Sequence, residues 1–473
     1  MRFDRRRSYD IDGSGTARAA LPRTRAGDPD LVNGPVARTL WRLAIPLTAG
    51  FVINAVYSWI NMFFVSRLGS DVIAALGVAD QVNFVIFTLG SGFCIGTGIV
   101  VARRIGEERR SQASVIATQA FSFMGIYATV VAIVVAFALP FLLSLMGLSG
   151  AVYEHTRTYL LTLLFGLPAS LLIFQVNASV RSTGNTVFPM VVLTITALVN
   201  ALLDPLLIFG LLGLPKLGLQ GAAISTVIAQ WIGAILSASV LFSGRLNLRL
   251  HGLTLRFDRD LIASIFKLGV PASMQGLAVS FCRVLLIALA NHFGTAAAAA
   301  YTIGLRVDII VFMPIFAVGI AIETLVSQNI GAGRLERVKE FRETAVRHLG
   351  GVIVAMGVVI YFVARPLAML FSSDPAVVSL TVTYLHIAVF GYLFFVVGQS
   401  ATRSLSGAGH ALRSMLIITG VLFLVQVPLA YLLSLHSSLQ VSGVFLAITI
   451  SYFVFAAVGT WSIRGRQWML KRV

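Results

Sequence analysis

Apolar residues occur along this chain in long runs that short polar segments interrupt. The runs over residues 191–212 and 352–370 contain one charged side chain each, and a run of about 20 residues lets a helix cross a hydrocarbon core of about 30 Å. The pattern predicts an all-α polytopic membrane protein with twelve transmembrane helices. The predicted spans are roughly 40–66, 81–104, 114–140, 158–181, 186–212, 219–243, 262–290, 306–330, 346–371, 379–402, 411–435 and 441–463.

The composition agrees with a protein whose surface faces lipid. Hydrophobic residues make up 57% of the chain and charged residues 12%, and the mean hydropathy is +0.89. A soluble domain carries about twice that charged fraction, because its surface must be hydrated. The lipid bilayer is therefore the first partner that we expect for this chain.

The sequence lacks the motifs of common catalytic and ATP-driven sites. It contains no HExxH, CxxC or GxxxxGK[ST] pattern, and no paired acidic motif of the kind that a membrane prenyl transferase needs. Cys94 and Cys282 both fall within apolar runs, where cysteine acts as a small apolar filler. We expect neither an enzyme nor a cofactor other than a coupling ion.

Positive charge is distributed unevenly between the loops. Of the 36 Lys and Arg residues, roughly 30 fall on the side of the N-terminus when the predicted spans alternate across the bilayer. This asymmetry predicts a multi-pass protein of the plasma (inner) membrane with both termini in the cytoplasm. It also accounts for the net charge of +17 without nucleic acid as a partner.

The chain repeats its proline and glycine positions at one constant offset. Pro46 pairs with Pro271, an offset of 225 residues (271 minus 46), and Gly69 pairs with Gly294 at the same offset. Each unit would hold six spans, so both would insert in the same orientation, related by a pseudo-two-fold axis along the membrane normal. We predict a disordered basic cytoplasmic tail (1–37), an N-terminal six-helix lobe (38–245), a cytoplasmic linker loop (246–261), a C-terminal six-helix lobe (262–465) and a cytoplasmic C-terminus (466–473).

Several segments resemble those of the multidrug and toxic compound extrusion (MATE) transporters, prokaryotic branch. They are Leu43-Ala44-Ile45-Pro46, the Val180–Thr186 segment, the Asn200–Gly210 segment, the Tyr301–Val307 segment and the Gln328–Arg334 segment. The resemblance implies two six-helix lobes in a V. It also implies export of amphipathic cations in exchange for Na⁺ or H⁺ by alternating access, with a cation site formed by an Asp on the first span and an Asn and an Asp on the fifth.

The candidate cation site departs from the family pattern at one position. Asn200 and Asp204 are present on the fifth span, but Asn61 stands where the family has an Asp on the first span. Asn200 and Asp204 are four residues apart and share a helix face, and Pro205 leaves a backbone carbonyl without its usual donor. We expect Asp204, Asn200, Asn61 and Thr226 to form the cation-coupling site, with Na⁺ possible at Asp204 and Asn200.

Other polar residues within the spans are hypotheses for function by default. The depths of Arg283 and Asp308 along their helices predict a structural ion pair between them. Glu323 has no evident positive partner at its depth, so it is a candidate for contact with cargo. Asn54, Asn177 and Gln275 are further, weaker candidates for the substrate cavity.

These features predict a secondary active antiporter that exports amphipathic, cationic small molecules in exchange for H⁺ or Na⁺. The alternative is a flippase or exporter of a lipid-linked precursor, which would carry positive charge in its cavity to hold diphosphate. On the sequence, Arg283 is the one Lys or Arg that lies more than six residues from both ends of a predicted span, which weakens this alternative. We expect the protein to act as a monomer.

Overall fold

The structure, a computed structural model, describes residues 31–244, 246 and 248–470. Most of the predicted disordered tail, and the last three residues of the predicted C-terminus, lie outside these residues. The helices are α1 (Val36–Val65), α2 (Ser70–Gly106), α3 (Arg110–Leu145), α4 (Gly150–Leu164), α5 (Leu167–Arg181), α6 (Val187–Phe209), α7 (Leu219–Phe242), α8 (Arg259–His292), α9 (Thr295–Gly331), α10 (Leu335–Met369), α11 (Pro375–Gly407), α12 (Ala411–Gly420), α13 (Val427–Leu435) and α14 (Val441–Ser462).

These helices confirm an all-helical chain with up to twelve apolar spans. Eleven spans are long and apolar enough to cross a membrane singly, and α4 and α5 make the twelfth as a pair bent by 49°. The span over residues 411–435 joins α12 and α13 through a π-helical segment, Val421–Gln426. Pro428 lies two residues after the end of this segment and has no N–H to donate, which explains the break in the regular hydrogen-bond ladder.

Each half of the chain builds most of its own apolar core. One large core consists mainly of side chains between residues 282 and 469, and another mainly of side chains between residues 86 and 268. The predicted linker is not free, because its backbone bonds to side chains of α3: Arg249 N–H donates to Ser114 Oγ at 3.3 Å and Asp258 N–H to Gln119 Oε1 at 2.9 Å. The pseudo-two-fold relation of the two lobes stays a prediction.

The two halves contact each other in the half of the bundle that carries the described ends of the chain. Ser273 Oγ donates to the carbonyl of Thr88 at 2.8 Å, and Ser327 Oγ donates to that of Ile99 at 2.8 Å. Gly92 and Gly269 bring α2 and α8 together backbone to backbone, since a Cβ on Gly92 would overlap the Gly269 carbonyl oxygen.

Toward the other face, the hydrogen bonds that link the halves stop at Thr88 and Ser273 among the described residues. Beyond them, Asn54, Gln81, Arg283 and Arg306 are exposed on α1, α2, α8 and α9. We call this space between the four helices the cleft. It opens on the side away from the chain termini.

Candidate functional site

Asp204 is a fully buried carboxylate at the meeting point of three helices. Its side chain lies on α6 and is 0% exposed. Asn61 on α1 donates from Nδ2 to Asp204 Oδ2 at 2.9 Å, and Ser225 on α7 donates from Oγ to Oδ1. These donors are neutral, so hydrogen bonds satisfy the carboxylate while no fixed cation among the described residues pairs with it.

Asn200 extends this network by one helical turn. Its amide satisfies all its neighbours when the nitrogen faces Asp204 and the oxygen faces α7. Nδ2 then donates to Asp204 Oδ2 at 2.8 Å, and Oδ1 accepts from Thr226 Oγ1 at 2.9 Å. The Tyr57 hydroxyl lies 3.2 Å from the same amide. The arrangement joins α1, α6 and α7 through one polar cluster.

The structure therefore brings together the four residues that the sequence singled out, Asn61, Asn200, Asp204 and Thr226. A single buried carboxylate held by neutral donors can have its charge balanced by a monovalent hard cation or a proton. Among the described residues, no group of three or more His, Cys, Asp and Glu side chains is arranged to hold a metal ion. Ion binding at this cluster stays a prediction.

Sequence reasoning missed two members of this neighbourhood, Tyr57 and Asp80. Asp80 lies on α2 and is exposed, yet it is close enough to Tyr57 on α1 and Tyr159 on α4 to interact electrostatically with both. It stood just before the second apolar run and so looked like a loop residue. One signal was available: Tyr57 and Asp80 are nearly equidistant in sequence from the turn at Gly69, so antiparallel helices place them at one level.

The predicted ion pair between Arg283 and Asp308 does not form. Asp308 is 2% exposed, and its two oxygens accept hydrogen bonds from Tyr384 at 2.5 Å and Tyr392 at 2.6 Å. Arg283 is exposed and reaches Asp308 only through longer-range electrostatics. The two tyrosines, both on α11, donate the hydrogen bonds that stabilise the buried Asp308 carboxylate, a role that the prediction gave to Arg283.

Glu323 has the positive partner that the sequence did not reveal. Arg403 Nη1 lies 2.9 Å from Glu323 Oε2. Arg403 lies one residue past the predicted span 379–402, which places it in a loop by prediction, but the structure has it within α11. Glu323, Arg403 and Arg181 line a cavity of about 100 Å³ between the two halves, on the closed side of the cleft. The prediction that Glu323 is unpaired is wrong.

The weaker cavity candidates have different environments. Asn54 is exposed and Gln275 is half-buried. Asn177 is 3% exposed within α5, so it does not contact cargo in this conformation. Its position on an apolar span could not show that it faces the interior of its own lobe.

The fold and the site define a polytopic membrane transporter, with a polar cluster around Asp204 beside a cleft between two helical halves. The chain belongs to the MatE family, whose model matches residues 46–206 and again residues 271–432. The two matches begin at Pro46 and Pro271, the pair that gave the offset within the sequence. This membership confirms that the chain is a transporter and not an enzyme.

Curated relatives align over most of their length. The probable multidrug resistance protein YoeA of Bacillus subtilis is 27% identical over 431 residues, which cover 89% of this chain and 91% of that protein. The FAD transporter of Shewanella oneidensis is 27% identical over 421 residues, with 89% and 93% covered. The probable multidrug resistance protein NorM of Thermotoga maritima is 24% identical over 425 residues, with 87% and 89% covered.

Solved structures share the fold. A MOP superfamily transporter from Pyrococcus furiosus, described as having a binding pocket of reverse polarity, superposes with a TM-score of 0.88 at 23% identity and covers 95% of this chain and 100% of that chain. A mutant of the Vibrio cholerae MATE transporter VcmN superposes with a TM-score of 0.86 at 22% identity, with 92% and 99% covered.

Proposed function

We propose that this protein is a secondary active antiporter that exports amphipathic small molecules in exchange for H⁺ or Na⁺ bound at Asp204. The observation that carries the proposal is the buried Asp204 carboxylate, held by neutral donors from three helices and lacking a fixed positive partner among the described residues. A carboxylate in this state gains most from a mobile cation, because burial disfavours an uncompensated negative charge.

The relatives support efflux as the direction of transport. YoeA and NorM are named as probable multidrug resistance proteins, and a third relative as an FAD transporter. Cargoes of these kinds combine a large apolar or aromatic body with polar groups. The cleft of this chain has matching walls, since exposed apolar side chains alternate with polar ones along α1, α2, α8 and α9.

Alternating access would proceed by rocking the two lobes about their present contact. At that contact α2 and α8 meet backbone to backbone through Gly92 and Gly269. Helices that touch through glycine have no bulky side chains to withdraw when they separate. The lobes of this proposal are residues 38–245 and 262–465, in a monomer of the inner membrane with both termini in the cytoplasm.

The test is transport in proteoliposomes with Na⁺ and pH gradients imposed one at a time. Accumulation of an amphipathic fluorescent probe against its own gradient is expected with one of the two gradients and not in their absence. Equal uptake with and without both gradients would refute antiport. Movement of a lipid-linked phosphate probe without any response to either gradient would favour the flippase alternative.

A further inference from the structure

Arg283 projects from α8 into the cleft. Gly269 and Gly276 on the same helix approach α2, where a Cβ on Gly276 would lie 3.0 Å from Thr88 Cγ2. Arg283 follows Gly276 by seven residues, and positions seven apart fall on nearly the same helix face, within about 20°. The face that contacts α2 in the closed half therefore carries an exposed guanidinium where the helices have separated.

Arg306 occupies the corresponding place on α9. It begins a series at seven-residue spacing that continues through Met313 and Ile320 to Ser327. Ile320 lines the cavity between the halves, and Ser327 donates to the Ile99 carbonyl of α2. Arg306 is exposed. Like Arg283, it lies about 17 Å along its helix from the turn at Gly294, so the two guanidiniums share one level of the cleft.

Neither arginine has a carboxylate within salt-bridge distance among the described residues. Asp308, which Arg283 reaches only through longer-range electrostatics, already accepts hydrogen bonds from Tyr384 and Tyr392. Uncompensated charge within a transmembrane helix is costly and marks a ligand path. The opposite wall is polar at the same side of the cleft, with Gln81 and Asp80 exposed on α2.

We propose that Arg283 and Arg306 form an anion subsite, and that the cargo is an amphipathic molecule that carries a phosphate or carboxylate group. A guanidinium presents a planar fork of donors that matches these oxyanions. Apolar side chains flank the pair, since Ile309 on α9 is 44% exposed and Val85 on α2 is 44% exposed. The subsite departs from the purely cationic cargo that the family resemblance implied. It rests on the proposed function, because it names the cargo of that transporter.

The test compares matched probes that differ only in a phosphate. Riboflavin and riboflavin 5′-phosphate form one pair, and 2-(naphthyl)ethanol and its phosphate ester form a second. Binding to the purified full chain is measured by fluorescence. The wild type is expected to bind the phosphates about tenfold more tightly than the neutral partners, in keeping with hydrogen bonds to a charged group.

The double variant Arg283→Gln/Arg306→Gln is expected to bind the members of each pair equally while keeping its affinity for the neutral ones, which also reports that it is folded. Arg365→Gln, an exposed arginine of α10 outside the cleft, is the matched control and should keep the preference. A wild type that prefers the phosphate in neither soluble pair and also fails to bind a phosphatidic acid analogue, or a double variant that retains the preference, would overturn the subsite.

Two further comparisons complete the test. One identifies the source of the phosphate, and the other distinguishes failure of the subsite from failure of the antiport proposal. A fluorescent phosphatidic acid analogue is tested beside the soluble pairs: preference for the lipid probe alone assigns a lipid headgroup as the source, and preference for the soluble phosphates assigns free cargo. Binding needs no ion gradient. A phosphate preference without gradient-driven transport would therefore refute the antiport proposal but not the subsite. Gradient-driven transport without a phosphate preference would refute the subsite but not the antiport.

Discussion

Asp204 accepts hydrogen bonds from α1, α6 and α7, so one carboxylate ties three helices of the N-terminal half together. At the scale of the residue, the unusual feature is Asn61, which contributes an amide where the family pattern has a second acid. An amide donates to Asp204, whereas a carboxylate at that place would repel it unless a cation lay between them. This substitution gives the cluster one negative charge instead of two.

Asn61→Asp is expected to lower the Na⁺ concentration for half-maximal transport by about tenfold or more, because a second carboxylate beside Asp204 adds attraction for a cation in a poorly hydrated site. The measurement is uptake into proteoliposomes over a Na⁺ titration at fixed pH. Asn61→Gln keeps an amide and is the control. An unchanged response of Asn61→Asp to both Na⁺ and pH would place this position outside the coupling site.

Asp80 is the acid nearest to this cluster on the wall of the cleft, and its field reaches Tyr57. Asp80→Asn is expected to raise the ion concentration for half-maximal transport roughly three- to tenfold with little change in maximal rate, because it removes attraction along the ion's path. Asp71→Asn changes another exposed acid of α2 and should have no such effect. Equal behaviour of the two variants would contradict a role for Asp80.

At the scale of the helix, α2 and α8 form the contact about which the lobes are expected to move. Their glycines leave almost no space: a Cβ on Gly92 would overlap both Ser273 Oγ and the carbonyl oxygen of Gly269. Backbone atoms cannot yield as a flexible side chain would. Any larger residue at Gly92 must therefore push the two helices apart.

Gly92→Val is expected to shift the population away from the present conformation toward one open on the side of the termini. The readout is the labelling rate of Thr324→Cys, which lines the cavity between the halves, in a background without Cys94 and Cys282. Labelling should become several-fold faster. Gly77→Val lies on the same helix with nothing within 4 Å of its added Cβ, and it should label at the parent rate. Equal rates for both variants would contradict this account of the contact.

The sequence predicted the elements better than it predicted their partners. Runs of apolar residues located every span, because the bilayer imposes a minimum length that little else in a protein produces. The helices extend beyond those runs, however, so Arg306, the first residue of a predicted span, lies well inside α9, and Arg403, one residue past a predicted span, lies within α11. This error hid the partner of Glu323 and one of the two arginines of the cleft.

The cluster around Asp204 was predictable because Asn200 and Asp204 lie one turn apart and because the family resemblance implies a first-span residue, here Asn61, at the same site. The partners of Asp308 were not predictable from the sequence, because Tyr384 and Tyr392 lie 76 and 84 residues away on another helix. Buried tyrosines in apolar runs give no sign of which acid they will meet. Contacts between distant spans depend on how the helices pack against each other. The periodicity of apolar residues within one span carries no information about that packing.

At the scale of the whole molecule, the chain has two halves that are closed against each other on one side and separated on the other. Thr88 and Gly276 mark the last close contact before the cleft. On the walls of the cleft the exposed charges differ in sign, with Asp80 in one half and Arg283 and Arg306 in the other.

A disulfide between Thr88→Cys and Gly276→Cys is expected to stop transport, because it holds the halves in one conformation. The approach of Thr88 Cγ2 to a Cβ at Gly276, 3.0 Å, suits the spacing that a disulfide requires. Uptake is measured before and after oxidation, again in a background without Cys94 and Cys282, and reduction should restore it. Each single cysteine variant should be insensitive. Full transport by the oxidised pair would exclude movement at this contact.

The most direct test of the account is Asp204→Asn, compared with Asp71→Asn in the same proteoliposomes. The asparagine fills the same volume but cannot carry the charge that attracts the coupling ion. We predict that Asp204→Asn inserts and purifies normally and yet loses accumulation of probe under an imposed Na⁺ or pH gradient, while Asp71→Asn accumulates it as the wild type does. Accumulation by Asp204→Asn at the wild-type rate and level would show that the coupling ion binds elsewhere.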